Sequence, residues 1–441
     1  MEPVELARHI VAELKASGYQ AYFVGGCVRD LLLGGQPKDY DVATDAHPGQ
    51  ITALFPNSVL VGVQFGVVLV QAHTAQVEVA TFRSDQAYVD GRHPAGVSFE
   101  TDARLDVLRR DFTINALLLD PDTNQVSDFV GGRDDLRERV IRAIGEPEAR
   151  FREDHLRMLR AVRFAARLDF HIEQATFDAI RRLHGLILSV SAERVREELV
   201  RILTEGGARR GFAWLDATGL LSDILPEVAA MKGVAQPPEY HPEGDVWTHT
   251  LLLLENLRNP SATLALGALL HDVGKPPTFR VAERIRFDGH VEKGVEMAGI
   301  ILNRLRFSNE EIRQATALIA NHMRFKDIPQ MKVSTLKRFL RLENFPEHLE
   351  LHRLDCVASH GHLENYELVR RRMQELPEEQ LKPAPLITGT DLIAAGYQPG
   401  PAFTRMLAAI EDAQLESRIQ NREDAMALVH AQFRIPDGGP I

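Results

Sequence analysis

The stretch Ala21–Asp45, A-Y-F-V-G-G-C-V-R-D-L-L-L-G-G-Q-P-K-D-Y-D-V-A-T-D, leaves the chain few ways to fold around it. The apolar run Ala21–Val24 reads as a buried strand, and Gly25-Gly26 breaks it. A helix follows from about Cys27, with Arg29 and Asp30 in its first turn and Leu31-Leu32-Leu33 on its buried side. Gly34-Gly35 and Pro37 end that helix, and Asp39-Tyr40-Asp41 leads into a second strand, Tyr40–Thr44. Alternate side chains of a strand share one face, so Asp39 and Asp41 project together. Two such carboxylates repel unless a cation lies between them, and an all-oxygen donor set suits magnesium. A glycine turn that opens a helix offers bare N–H groups to phosphate oxygens. The segment reads as a triphosphate cradle beside a metal-holding acid pair.

Around it, 441 residues suffice for two to four domains. The first residues lack the apolar core of a signal peptide, and no apolar run is long enough to span a membrane. Cys27 and Cys356 are the only cysteines and lie far apart, which points to a reducing cytoplasm and no disulfide framework. A net charge of −11 excludes a protein that coats nucleic acid indiscriminately. The segment 131–210 departs from that average: seventeen arginines and no lysine face fourteen acids there. Arginine's planar fork suits phosphates and base edges, so RNA is expected along this segment.

Up to about residue 138, short strand-like runs alternate with turns: Ser58–Val63, Gly66–Gln71, Gln76–Phe82 and Leu117–Asp120. Glu78 lies in one of these runs, either as a third carboxylate for the metal or as a partly exposed strand residue. Phe82–Phe99 is polar and unpatterned and reads as a surface loop. In R-R-D-F-T-I-N-A-L (Arg109–Leu117), Phe112, Ile114, Ala116 and Leu117 supply packing. Arg110, Asp111 and Asn115 are then free to meet a phosphate and a ribose hydroxyl. Beyond about 140, strand signals vanish and amphipathic helices follow. In Arg150–Phe170, helical spacing groups Arg157, Arg160, Arg163 and Arg167, with Met158, Leu159, Val162, Ala165 and Ala166 opposite as the core face. Asp154 and Arg157 fall next to each other at the helix start and offer an acceptor-and-donor edge like that of a base. Any one of these segments alone also fits a plain structural role, such as a helical ion pair.

Taken in order, G-G-x-V-R-D with D-x-D (Gly25–Asp41), R-R-D-F-T-I-N-A (Arg109–Ala116), G-G-R-D-D-L (Gly131–Leu136) and E-D-x-x-R-x-x-R (Glu153–Arg160) resemble the class II tRNA nucleotidyltransferases, or CCA-adding enzymes, and their bacterial poly(A) polymerase relatives. The resemblance covers most of the first 210 residues. It implies that Asp39 and Asp41 are catalytic and hold two Mg2+ ions, and that Gly25, Gly26 and Arg29 grip the triphosphate. Arg110, Asp111 and Asn115 would handle ribose and phosphate. Asp154 and Arg157 would pair with cytosine or adenine of CTP or ATP, supported by Arg160. The loop Phe82–Phe99 would match the element that helps such a site switch from CTP to ATP.

A second constellation starts at W-T-H-T (His249) and continues through L-L-H-D-V-G-K-P (His271, Asp272, Lys275), D-G-H-V-E-K-G (His290), I-A-N-H-M (His322) and H-R-L-D-C (Asp355). Each piece lies in or beside an apolar helical stretch, where an unpaired polar group is costly. Imidazole and carboxylate ligands together suit a transition metal or magnesium. The order resembles an HD-type metal-dependent phosphohydrolase domain. It implies His249, His271, Asp272 and Asp355 around a divalent metal of unassigned identity, with His290 and His322 serving a second metal or the phosphate and Lys275 a phosphate oxygen.

The expected fold is α+β: a polymerase β-like sheet domain (1–138), then a helical neck (139–235), an HD body (236–375) and a helical tail (376–441) that touches tRNA. The expected function is template-independent addition of CCA to tRNA 3′ ends from CTP and ATP, with an HD-site phosphatase or phosphodiesterase activity. The alternatives are an A-adding enzyme or poly(A) polymerase, and an HD phosphohydrolase whose first half only binds RNA. The sequence carries no sign of oligomeric state.

Overall fold

The computed structural model describes residues 2–61, 65–86, 91 and 95–433. It divides into two compact units. The first comprises the chain through Lys232 together with Leu257–Ala262 and Ile301–Phe307; the second holds the rest.

The first unit opens with α1 (Pro3–Ala16), started by Pro3, with Leu6, Ala7, Ile10, Val11 and Leu14 buried along one stripe. Strand β1 (Ala21–Val24), helix α2 (Gly26–Leu32) and strand β2 (Asp41–Thr44) follow the expected order. Helix α3 (Pro48–Leu54) leads to β3 (Ser58–Leu60), β4 (Val67–Ala72) and β5 (Ala75–Thr81). After a side hairpin, β6 (Arg83–Asp85) with β7 (Val97–Phe99), come α4 (Ala103–Leu108), β8 (Leu118–Leu119), β9 (Val126–Ser127) and α5 (Gly132–Glu138). The main sheet has the order β3-β4-β5-β2-β1-β8-β9. Only β2 and β5 pair in parallel within it, in a register that sets Asp41 opposite Glu78 and Val42 opposite Val79. The two-residue period then separates the faces: Val42 and Val79 are fully buried, while Asp41 and Glu78 look the other way.

Three expectations need correction here. Leu31–Leu33 are not the buried side of α2: Leu32 and Leu33 are 42% and 45% exposed, and Cys27, Val28 and Arg29 are buried instead. Phe82–Phe99 is not merely a loop, because its ends pair as β6 and β7; residues 87–90 and 92–94 lie outside the described residues, as do 62–64 at the end of the expected third strand. Strands also do not cease at 140. Two-residue β10 (Val140–Ile141) and β11 (His171–Ile172) pair in parallel, too short to leave an alternating signal.

The rest of the first unit is helical. Helix α6 (Pro147–Glu153) ends at Asp154, and α7 (Arg157–Leu168) starts afresh. Helices α8 (Gln174–Leu183), α9 (Ala192–Thr204), α10 (Ala208–Thr218), α11 (Leu220–Ile224) and α12 (Pro226–Ala229) complete it. Met158, Leu159, Val162, Ala165 and Ala166 are all fully buried, as the helical period predicts.

The second unit draws on α13 (Val246–Asn256), α14 (Ala262–Leu270), α15 (Lys275–Thr278), α16 (His290–Arg304), α17 (Asn309–Asn321), α18 (Val333–Leu340) and α19 (Phe345–Ala358). A small hairpin, β12 (Arg280–Val281) with β13 (Ile285–Arg286), interrupts them. Helix α14 is buried all round, from Leu264 to Leu270, and carries His271 and Asp272 at its end. The tail closes its own small core around Leu392, Met406, Ile410 and Val429.

Candidate functional site

In the first unit one cavity of about 640 Å³ brings together Gly25, Gly26, Arg29, Asp39, Asp41, Arg110, Asp111, Asn115, Asp154, Arg157 and Arg160. Gly25 caps α2 with φ +78°, a conformation natural to glycine, and a Cβ there would sit 3.4 Å from the Asp41 carboxylate. The glycine turn thus leaves only the room of a side-chain carbon beside Asp41. Asp39 precedes β2 and Asp41 begins it. Burial, then the charges of Glu78 and Asp39, push the Asp41 carboxyl up to about 6 against the pull of Arg110. A carboxyl raised by neighbouring carboxylates is relieved by a cation, and the oxygen-only donors fit Mg2+. Glu78 itself is exposed, beside Asp41 across the strand pair.

Arg110, Asp111 and Asn115 are not free, contrary to expectation. Buried charge must be paired, and here Asp111 and Asn115 belong to one chain while Arg110 pairs apart from it. Arg160 donates to Asp111 Oδ2 from Nε and Nη2 (2.9 and 2.6 Å). Asp111 Oδ1 accepts from the Phe112 N–H at 2.8 Å and the Asn115 amide at 3.3 Å. Asn115 Oδ1 in turn accepts from Arg29 Nη1 at 2.7 Å, and Arg29 Nε donates to Asp30 at 2.8 Å. Burial raises the Asp111 carboxyl, but Arg160 outweighs it and holds the group at about 2. Arg110 and Arg109 both lean on Asp106, which is 1% exposed and lies at 2.8 and 2.6 Å from them.

Asp154 and Arg157 are likewise braced from outside their motif. The Asp154 carboxylate accepts from Arg194 of α9 at 3.1 Å. Arg157 donates to Glu153 at 2.6 Å and to the carbonyls of Arg150 and Arg109. The Arg157 N–H also donates to the Asp154 carbonyl at 3.0 Å, which fixes the two residues at the break between α6 and α7. Asp106 and Glu153 sit three or four residues from the arginines they hold, a spacing the sequence displays. Arg194, forty residues from Asp154, gives no local signal.

In the second unit, the ligand atoms of His249, His271 and Asp355 lie within 4.8 Å of one another, and so do those of Asp272, His290 and His322. His249 Nε2 is 3.1 Å from Asp355 and 3.3 Å from His271 Nε2. His271 Nε2 is 3.1 Å from Asp272 Oδ2, while Asp272 Oδ1 is 3.9 Å from His290 and 4.0 Å from His322. One carboxylate therefore faces both groups. His290 Nε2 is buried with no hydrogen-bond partner, an orphan that a metal would satisfy. Lys275 is engaged: its ammonium lies 2.7 Å from Asp272 and donates to Gln236 at 2.6 Å. Glu243, absent from the sequence motif, holds His249 Nδ1 at 2.7 Å and His241 Nδ1 at 2.8 Å. Burial lowers the His249 imidazole, but Asp355 and Glu243 overcome it and hold it at about 9. His322, buried beside His271, is pushed down to about 4. Imidazole and carboxylate donors of this kind fit one or two divalent ions.

A glycine turn, an acid pair at a strand start and an arginine-braced helix in one cavity define a nucleotidyltransferase of the polymerase-head type. The sequence matches the family model for the poly(A) polymerase head domain over residues 21–142. It also matches models for the RNA-binding region of polymerase A over 169–232 and for tRNA nucleotidyltransferase domain 2 over 291–429. The chain is 30% identical to a CCA-adding enzyme of Enterococcus faecalis, covering 95% of this chain and 94% of that one. It is 34% identical to one of Levilactobacillus brevis, covering 96% and 97%. The solved CCA-adding enzyme of Bacillus stearothermophilus in complex with CTP superposes with a TM-score of 0.75 at 29% identity, covering 98% of this chain and 99% of that one. The chain belongs to the CCA-adding enzyme family, and it is an enzyme of the nucleotidyltransferase class. No helix among the described residues is long and apolar enough to cross a membrane.

Proposed function

We propose that the protein adds C, C and A in turn to tRNA 3′ ends, drawing on CTP and ATP. The observation that carries this reading is the shared cavity: the Asp154–Arg157 edge opens into the same space as the glycine turn and the acid pair. Gly25, Gly26 and Arg29 hold the triphosphate, and Asn115 ties Arg29 to Asp111 so that cradle and ribose contacts move together. Asp154 accepts from, and Arg157 donates to, the Watson–Crick edge of the incoming base, so side chains stand in for a template. Asp39 and Asp41 would hold Mg2+, which when bound polarises the primer 3′-hydroxyl and neutralises charge on the phosphates. The arginine-rich helices receive the RNA, and the head, neck, body and tail bounded at 138, 235 and 375 divide the work. A cytoplasmic setting fits the two reduced, buried cysteines. Exchange of Asp154 for Ala tests the base-reading step. Selection of CTP over UTP should collapse while incorporation persists; unchanged selection contradicts the reading.

A second activity, phosphate-ester hydrolysis, is favoured by the two adjoining ligand groups that share Asp272. His249, His271, Asp272 and Asp355 would hold one divalent ion, and Asp272 with His290 and His322 a second. Bound metal would supply an activated water. His271→Ala and Asp272→Ala should abolish hydrolysis and spare nucleotide addition. Loss of both activities together contradicts two independent sites.

A further inference from the structure

The cavity continues past the residues assigned so far. Beyond Arg160 its wall runs down α7 to Phe164 and Arg167 and across to Arg201 and Glu205 on α9 and its cap. The whole lining carries eight arginines against five carboxylates, and three of those carboxylates, Asp111, Asp154 and Glu205, are already paired with arginines. Position along α7 says what the surplus is for. Asp154 and Arg157 stand at its start. Ten residues on, roughly 15 Å at the helical rise, Arg167 lies 3.4 Å from Asp30, the neighbour and ion-pair partner of the cradle residue Arg29. Between them Phe164 carries the Arg29 guanidinium 5.2 Å from its ring centroid. Helix α7 thus spans the length of an extended nucleoside triphosphate, base edge at one end and terminal phosphates at the other.

The state of the arginines differs along this line. Arg157 and Arg160 are locked in short ion pairs (2.6 Å each), and buried Arg163 faces Glu198 at 3.2 Å. Arg167 has only longer contacts, to Asp30 at 3.4 Å and Glu205 at 3.6 Å. The exposed guanidinium of Arg201 has no hydrogen bond or ion pair among the described residues. Loose and unpartnered guanidinium forks on a cavity wall are sites for phosphate oxygens.

We propose that Arg167 and Arg201 form a pyrophosphate subsite. They hold the terminal phosphates of the incoming nucleotide and keep the pyrophosphate after transfer. In that step the primer 3′-oxygen bonds to the α-phosphorus and its proton passes to solvent water. The bond from the α-phosphorus to the bridging oxygen breaks, and its electron pair leaves with pyrophosphate. Glu205, 3.6 Å from Arg167, competes for the same guanidinium and so eases release. This rests on the nucleotidyl-transfer reading above.

The test uses the full chain with Mg2+ and a tRNA transcript ending in CC. Pyrophosphate inhibition of AMP incorporation is measured for wild type, Arg201→Gln and Arg167→Gln, with selection of CTP over UTP measured on a C-ended transcript. Arg201 is exposed and makes no hydrogen bond or ion pair among the described residues, so its loss leaves the fold intact. Each variant should need about tenfold more pyrophosphate for half-inhibition, the loss of one charge-assisted contact, with base selection unmoved. Arg201→Lys, which keeps charge without the fork, should fall between. Half-inhibition at the wild-type pyrophosphate concentration in an incorporating variant overturns the subsite. A wild-type protein that incorporates nothing overturns the nucleotidyl-transfer reading instead.

Discussion

Replacing Asp41 by Asn separates what the acid pair costs from what it does. Burial and two neighbouring carboxylates hold the Asp41 carboxyl at about 6, against 3.8 for an ordinary aspartate. The folded protein therefore binds a proton more tightly here than the unfolded chain does. The sign follows: stability falls as pH rises from about 4 through 6, and at pH 7 the full penalty is in force. Converted at the usual exchange rate, it is about 3 kcal/mol. Asn removes the charge and keeps the shape. Metal-free Asp41→Asn protein should resist urea better than wild type at pH 7, by up to that amount, with the advantage gone below pH 4. Adding Mg2+ should stabilise wild type and not the variant. Nucleotide incorporation should drop at least a thousandfold, of the order lost with one main electrostatic element of an active site. A variant that is equally stable at pH 7, or that still incorporates, refutes the account of this carboxylate.

Three further outcomes follow from the bracing groups. Arg194→Leu releases the Asp154 carboxylate and should cost about tenfold in selection of CTP over UTP but only about 1 kcal/mol in stability, read by single-nucleotide incorporation and urea unfolding. Glu243→Gln removes the carboxylate that orients His249 and should weaken binding of Mn2+ or Co2+ at the second site by roughly ten- to a hundredfold, seen by calorimetry; unaltered affinity contradicts the orienting role. Because His249 keeps its proton up to about pH 9 in the metal-free protein, metal binding at pH 8 should release a proton, which shows as a dependence of the binding heat on the buffer's ionisation heat.

The parts of this site legible in the sequence are those that local rules govern. Gly25-Gly26, the strand-entry acids and the apolar period of α7 follow from backbone needs that act within a few residues. Val77 and Val79 reveal β5 by alternation, and the register that pairs Asp41 with Glu78 then follows from the sheet. The braces were hidden for the same reason in reverse. Arg194 reaches Asp154, and Arg160 reaches Asp111, across 40 and 49 residues of chain. The leucines after Asp30 are not core because hydrophobic type alone does not fix burial: α2 is seven residues long and sinks its arginine, satisfied by Asn115, in place of Leu32. Glu243 escaped because it lies in a proline- and glycine-bearing loop, outside any periodic element.

The central claim, full CCA addition by one cavity, is tested most directly by what the protein does to tRNA transcripts that lack CCA, or end in C or CC. Given CTP alone, it should extend the first two to CC and stop; given CTP and ATP, all three should end in CCA. AMP added only to the CC-ended transcript, with no CMP incorporated on the others, would contradict that claim and leave an A-adding enzyme in its place.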